Sequence, residues 1–275
     1  MLTPVKNYPA LLYKKKQHKY LIIADLHLGW EMNLTQKGIH VPSQMPKILQ
    51  RLLQLINMLK PDTLIILGDV KHTVAKAELG EWRDVPEFFE TLTKKIIDIQ
   101  IIRGNHDGNI EPLLPPTTKL HPSTGITLNT VGLFHGHTWP ARELLNCTTL
   151  IIGHVHPTIA LRDPIGFQIV TPVWIKAKYD PEKLEKTYLK SKRTKMDSES
   201  ITPSRKYLKK AKVKQLLIMP CFNDFLGGRP VNKQSRRKRY TGPVLRSDAI
   251  NLDIAEIYLL DGAFLGTIRQ LKALD

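Results

Sequence analysis

The sequence predicts an α/β fold in which two sheets pack on one another, and three observations carry that expectation. Residues 20–102 alternate short β-branched runs with helical patterns, a βαβαβ passage whose natural solution is a parallel sheet covered by helices. From about Lys119 the pattern changes to strands with short connections, as a second sheet requires. Five of the apolar runs also stop abruptly at side chains that ligate metals or move protons.

Residues 1–19 are polar and basic and predict no more than a short leading strand or arm. Tyr20–Ala24 is the first strong strand. Met45, Ile48, Leu49, Leu52, Leu53, Ile56 and Leu59 recur at helical spacing between Pro42 and Pro61, so an amphipathic helix should lie on the sheet there. Thr63–Leu67 is the next strand. A helix is expected near Val85–Lys95, with Pro86 in its first turn, followed by the strand Ile97–Ile102. Later strands are read at Ile126–Asn129, Val131–Phe134, Thr148–Ile152, Thr158–Leu161, Phe167–Trp174 and Lys214–Pro220, with a helix around Trp139–Leu145. Ile250–Leu260 and Ala263–Ile268, divided by Asp261-Gly262, predict a closing hairpin. One domain over residues 1–275 accommodates all of these elements.

No apolar run approaches the roughly 18 residues that span a membrane, and the N-terminus lacks an apolar signal core. A cytoplasmic protein without a membrane partner is the expectation. Cys147 and Cys221 are the only cysteines, and they read as buried reduced thiols.

The net charge of +16 is unevenly placed. Residues 1–175 carry 18 Lys/Arg against 14 Asp/Glu, whereas residues 176–246 carry 21 against 6. The excess falls in a basic insertion at 177–213 and a basic loop at 229–246, and it points to a polyanionic partner, foremost nucleic acid. Lys209, Lys210 and the run Arg236-Arg237-Lys238-Arg239 are the candidate phosphate contacts.

Paired divalent cations about 3.5–4 Å apart need a bridging carboxylate, neutral imidazoles and room for phosphate oxygens. The five strand ends contain those groups. Asp25 and His27 flank one residue, as do His154 and His156, so strand alternation would aim each pair one way. Asp69 follows Gly68, which allows close backbone approach and leaves the carboxylate free to bridge. Asn105 offers a neutral carbonyl oxygen, and His135 and His137 follow a further strand.

Asp25-x-His27, Gly68-Asp69, Gly104-Asn105-His106-Asp107, His135-Gly136 and Gly153-His154-x-His156 together resemble the five motifs of the calcineurin-like metallophosphoesterases. The likeness spans residues 20–175. It implies a four-layer αββα sandwich of two mixed sheets, with a dinuclear metal site at the strand ends. By the same resemblance one metal takes Asp25, His27, Asp69 and His156, and the other takes Asp69, Asn105, His154 and a histidine of the fourth motif. His106, held by Asp107, would be the general acid or a phosphate-orienting imidazole.

The fourth-motif ligand in the family directly follows the strand, which favours His135 and leaves His137 to substrate or to the shell behind the ligands; an exchange of these roles stays open. The second motif departs from the common family patterns, reading Asp69-Val70-Lys71-His72. Lys71 is read as a solvated loop residue. His72 is either a phosphate contact or part of that loop, and Arg103 is a further candidate near substrate. Trp30 could line the site, whereas Trp82, Trp139 and Trp174 are read as packing residues. His18, His40 and His121 sit in polar context and read as surface or satisfied histidines.

More narrowly, Gly-Asp-Val-Lys-His with Met219-Pro220-Cys221-Phe222-Asn223 and Gly227-Gly228-Arg229-Pro230-Val231-Asn232 resembles an archaeal branch related to the SbcD nuclease subunit and to helicase- or ligase-linked phosphoesterases. That branch implies nucleic-acid processing with a helicase or repair-protein partner. The reading is a metal-dependent phosphodiesterase or nuclease with two divalent ions. Mn²⁺ leads, and iron, zinc and nickel also suit oxygen and imidazole ligands. A small-molecule phosphodiesterase acting on cyclic nucleotides or dinucleotides, and a metal-binding adaptor of a helicase, are the alternatives.

Overall fold

Successive residues of a strand face opposite ways, and that alternation builds the layers here. The computed structural model describes residues 1–74, 77–196, 211–233 and 241–273. Six strands form the first sheet in the order β1 (Leu2–Pro4), β2 (Leu11–Lys15), β3 (His18–Ile23), β4 (Thr63–Ile66), β5 (Asp98–Ile102) and β6 (Lys119–His121). β3 to β6 run parallel, with β1 and β2 added antiparallel at one edge. The second sheet contains β7 (Ile126–Leu128), β8 (Val131–Leu133), β9 (Thr149–Ile152), β10 (Pro157–Arg162), β11 (Gln168–Lys178), β12 (Gln215–Ile218) and the short β13 (Arg229–Pro230). β14 (Glu256–Leu259) joins the far half of β11 and pairs with β15 (Phe264–Thr267).

Leu21, Ile23, Leu64 and Ile66 cluster with residues of two helices that follow the short α1 (Met32–Thr35), namely α2 (Met45–Leu59) and α3 (Leu79–Thr93). Their neighbours Ile22, Ile65 and Leu67 instead meet Leu133, Ile151, Leu217 and Met219 between the sheets. Leu150, Ile152, Leu216 and Ile218 face outward under Leu184 and Tyr188 of α4 (Pro181–Met196). Each such side chain contributes about 1.5–3 kcal/mol on burial, which outweighs the exposed ion pairs. The product is the expected helix–sheet–sheet–helix sandwich, with the C-terminal α5 (Ile268–Lys272) at one side of the outer layer.

Several elements differ from expectation. Residues 1–19 supply the edge strand β1, its neighbour β2 and the start of β3, because Leu11 and Tyr13 are buried between the sheets. Helix α3 begins at Leu79, six residues early, since the Glu81 carboxylate accepts the Glu78 amide at 3.0 Å and closes the N-terminus. Pro86 therefore stands inside the helix. Trp82 on that helix is half exposed and is not a packing residue. The segment near Trp139–Leu145 is a 3₁₀ turn at Arg142–Asn146, and the closing hairpin starts only at Glu256. The basic insertion is also anchored, as Leu184, Tyr188, Ala211 and Val213 belong to the outer core. Among the described residues no helix is long and apolar enough to cross a membrane.

Candidate metal centre

Strands β3, β4, β5, β8 and β9 end on one side of the sandwich, and the loops that leave them converge. The chain has left the strand by Asp25, and hydrogen bonds carry the parallel pairing into the loops. The Asp25 amide donates to the Gly68 carbonyl at 3.1 Å, and the His27 amide to the Asp69 carbonyl at 2.8 Å. Asp25, His27, Asp69, His154 and His156 all adopt positive φ, between 44° and 67°. The left-handed region costs an ordinary residue roughly 1–2 kcal/mol, and such outliers gather where a site demands them. The shared aim of Asp25 and His27, and of His154 and His156, thus comes from paired left-handed turns rather than from strand alternation. Glycine is obligatory at Gly104, where an added Cβ would collide with Asp69 Oδ1 and the Asp69 amide.

Among the described residues, ligand atoms converge in three groups: Asp25, His27 and His156; Asp69, His135 and His154; and His27, His72 and His106. One oxygen joins the first two. Asp69 Oδ2 lies 3.5 Å from His27 Nε2 and 3.2 Å from His135 Nε2. His156 Nε2 is 3.3 Å from both Asp25 Oδ1 and His27 Nε2, and Asn105 Oδ1 is 3.2 Å from His135 Nε2. Ligand atoms held about 2.1 Å from a common ion lie roughly 3.0–3.5 Å apart, so this donor set fits divalent ions on both sides of Asp69. His135 Nδ1 donates to the Leu67 carbonyl at 2.6 Å, which leaves Nε2 as the ligand atom.

Electrostatics favour the same use. Burial works against the Asp69 charge, yet His135, His27 and the His106 amide hold its carboxyl well below the usual range. Asp25 is likewise lowered, since His156 and His135 outweigh burial. Burial pushes His27 down to about 3 and both His154 and His137 to about 4, so these imidazoles are neutral at neutral pH. Burial opposes charge on His135 as well, but Asp69 and Asp25 raise it to about 9. A cation between these groups would take the place of that proton.

The other candidates divide clearly. His137 belongs to none of the three groups; its ring lies 5.2 Å from that of His135, and its buried Nδ1 has no hydrogen-bond partner. The fourth-motif position among the ligand atoms is therefore filled by His135. His106 donates its Asp69-facing backbone amide to Oδ1 at 2.9 Å, and its Nδ1 pairs with the His72 carbonyl. Asp107 does not hold the His106 imidazole. Its buried carboxylate accepts the amides of Gly104, Asp69 and Val70 at 2.7–2.8 Å, because a carboxylate so enclosed needs several donors. Burial and the Asp69 charge nonetheless push it up to about 6. Asp107→Ala would orphan three buried amides and is expected to cost on the order of 3 kcal/mol, read by urea unfolding. An unchanged midpoint would show that water replaces the carboxylate.

Lys71 is not solvated. Its side chain is buried and Nζ donates to the Thr73 carbonyl. His72 stands beside His27, with Nδ1 3.2 Å from His27 Nδ1, and Nε2 2.6 Å from Asn33 Nδ2. Arg103 pairs with Glu111, an arrangement that engages its guanidinium outside the ligand groups. Trp30 packs next to the first motif, its amide donating to the His27 carbonyl at 3.2 Å. His18 and His121 are satisfied by Thr63 and Gln100, and His40 is exposed. Lys209, Lys210, Arg236, Arg237, Lys238 and Arg239 lie outside the described residues.

Two supports were not foreseen. Buried Glu81 accepts the His72 and Thr73 amides at 2.8 and 2.6 Å and so fixes the loop that carries His72. Its signal was present as an acidic residue three positions after a helix cap. Behind Asp25, the Phe222 amide donates to the Ala24 carbonyl at 2.9 Å and Asn223 Nδ2 to the Leu26 carbonyl at 2.9 Å.

The calcineurin-like phosphoesterase family matches residues 18–158, just over half of the chain. No curated protein matches it. Among solved structures, the nuclease MPE of Pseudomonas putida is similar over 96% of this chain and 100% of its own, with a TM-score of 0.52 and 18% identity. That likeness is one of fold. YfcE, a phosphoesterase from E. coli, covers 52% of this chain and 73% of its own at a TM-score of 0.33 and 23% identity.

Proposed function

The chain belongs to the calcineurin-like phosphoesterases, hydrolases of phosphoester bonds that use divalent metals, and from that premise we propose that its substrate is a phosphodiester of nucleic acid. The observation that carries the substrate class is charge: residues 176–246 hold 21 Lys/Arg against 6 Asp/Glu, in a chain whose strand ends gather groups suited to phosphate. The nuclease MPE shares the fold, which is compatible with that use. A helicase or repair-protein partner, and kinship with the archaeal SbcD-related branch, rest on the late residues Met219–Asn223 and Gly227–Asn232.

Two ions are assigned, one to Asp25, His27, Asp69 and His156, the other to Asp69, Asn105, His135 and His154. Mn²⁺ is the first choice, ahead of iron, zinc and nickel. When bound, such ions supply Lewis acidity at a phosphoryl oxygen and lower the pKa of water. The residues do the rest. Asp69 aligns both halves through one oxygen, and Asp107 keeps the Asp69 and Gly104 loops in register through their amides. His106 stands at the half-exposed face, turned by the His72 carbonyl, where it donates a proton to the leaving oxygen or orients the phosphate.

Metal-loaded protein should cleave DNA or RNA and bind either without sequence preference, with affinity falling steeply as salt rises. Because α4 is anchored in the core, a deletion of 183–213 would damage the fold, and charge removal is the cleaner test. Replacing Lys209, Lys210, Arg236, Arg237, Lys238 and Arg239 with glutamine should flatten the slope of log affinity against log salt by up to about five. An unchanged slope would assign the basic segment to a protein partner or to solvent.

A further inference from the structure

A cleft of about 320 Å³ opens beside the metal ligand His156, and its wall is the late loop that the hydrolytic chemistry leaves unused. His156, Pro157 and Thr158 form one side, Val170 and Pro172 another, and the loop from Cys221 to Gly228, which carries the Arg51-paired Asp224, closes it. We infer that this cleft is a nucleobase subsite, holding one unpaired base of the nucleic acid whose phosphodiester lies at the metal centre; the inference rests on the substrate class proposed above.

Size argues first. Ligand pockets run from about 300 to 1,000 Å³, and this one, at the lower end, suits a single base rather than a duplex. Its surfaces argue next. Val170, Pro172, Pro157 and Leu226 offer apolar surface against which a flat ring can be buried, a non-directional contact that is tolerant of sequence. Thr158 lines the cleft and is buried, with its hydroxyl unpaired among the described residues. Beyond Val170 the β10–β11 hairpin exposes Ile169, Phe167 and Ile165, so apolar surface continues outward from the cleft.

The loop is also built to hold this shape. Asn223 is fastened behind Asp25 through the Leu26 carbonyl, and Asn232 brackets β10, accepting the Ala160 amide at 3.0 Å and donating to its carbonyl at 2.7 Å. Between them Gly228 presses on the His156 carbonyl so closely that a Cβ would collide with it. The cleft wall and the metal ligand therefore share one rigid contact. Gly227 differs, because a Cβ there meets nothing within 4 Å.

The test compares a thymidine dinucleotide with the same dinucleotide carrying one abasic residue, using Mn²⁺-loaded protein. The native protein should prefer the base-bearing substrate by about tenfold in kcat/KM, and Gly227→Phe, which adds a ring at a lining position where a Cβ meets nothing within 4 Å, should bring that ratio close to one. Reading the ratio within each protein cancels any change in the chemical step. Val170→Glu, at a half-exposed position that tolerates a charge, should shrink the ratio in the same way. A native ratio near one, or a ratio unchanged in both variants, overturns the subsite while leaving the nucleic-acid reading intact. Failure to cleave either dinucleotide, with bis-p-nitrophenyl phosphate still hydrolysed, overturns the nucleic-acid reading and the subsite with it.

Discussion

Asp69→Ala should abolish phosphodiester hydrolysis and leave the protein unable to retain divalent metal on either side of the site. The basis is a shared atom: Oδ2 lies 3.5 Å from His27 Nε2 and 3.2 Å from His135 Nε2, one imidazole of each group. Asp25 serves only the first group, so its loss could not have the same reach. Metal analysis after Mn²⁺ loading should give about two ions per native chain and well below one for the variant. Retention of one full ion would show that the two positions are independent. The same assay sorts the fourth motif, since His135→Ala should lower metal content and His137→Ala should not. The reverse result would exchange their roles.

Much of this arrangement was legible because buried parallel strands leave a plain trace. Leu21-Ile22-Ile23-Ala24 and Leu64-Ile65-Ile66-Leu67 are apolar at every position, as strands covered on both faces must be, and Asp25 and Gly68-Asp69 follow them directly. The edge strand β1 and its neighbour β2 were not legible, because Lys14, Lys15 and Lys16 follow directly and mask the buried Leu11 and Tyr13. The supports behind the site were hidden for another reason. Asp107 is adjacent to His106 in the chain, yet its carboxylate turns to amides 37 and 38 residues away. Asn223 reaches a motif loop by a contact that no local spacing records, and Glu81, whose capping position is local, also reaches His72 and Thr73, 9 and 8 residues back. The left-handed backbone at Asp25, His27, His154 and His156 is also silent in composition, because none of these motif positions is glycine.

His106→Ala should lower turnover by about 10²–10⁴-fold while metal content stays at the native level. Two contacts make the separation sharp. The part of His106 that orients Asp69 is its backbone amide, 2.9 Å from Oδ1, and alanine keeps that donor. The part that is lost is an imidazole whose Nδ1 is engaged by the His72 carbonyl, which leaves Nε2 for substrate. Leaving groups then distinguish the two roles open to it. A general acid matters most when the departing oxygen is a poor leaving group, so the loss should be large on a dinucleotide, whose alkoxide must be protonated, and small on a p-nitrophenyl ester. A phosphate-orienting imidazole would cost both substrates alike. Equal losses on the two esters, with full metal occupancy, would assign His106 to orientation; a fall in metal content would place it among the ligands, as its convergence with His27 and His72 permits.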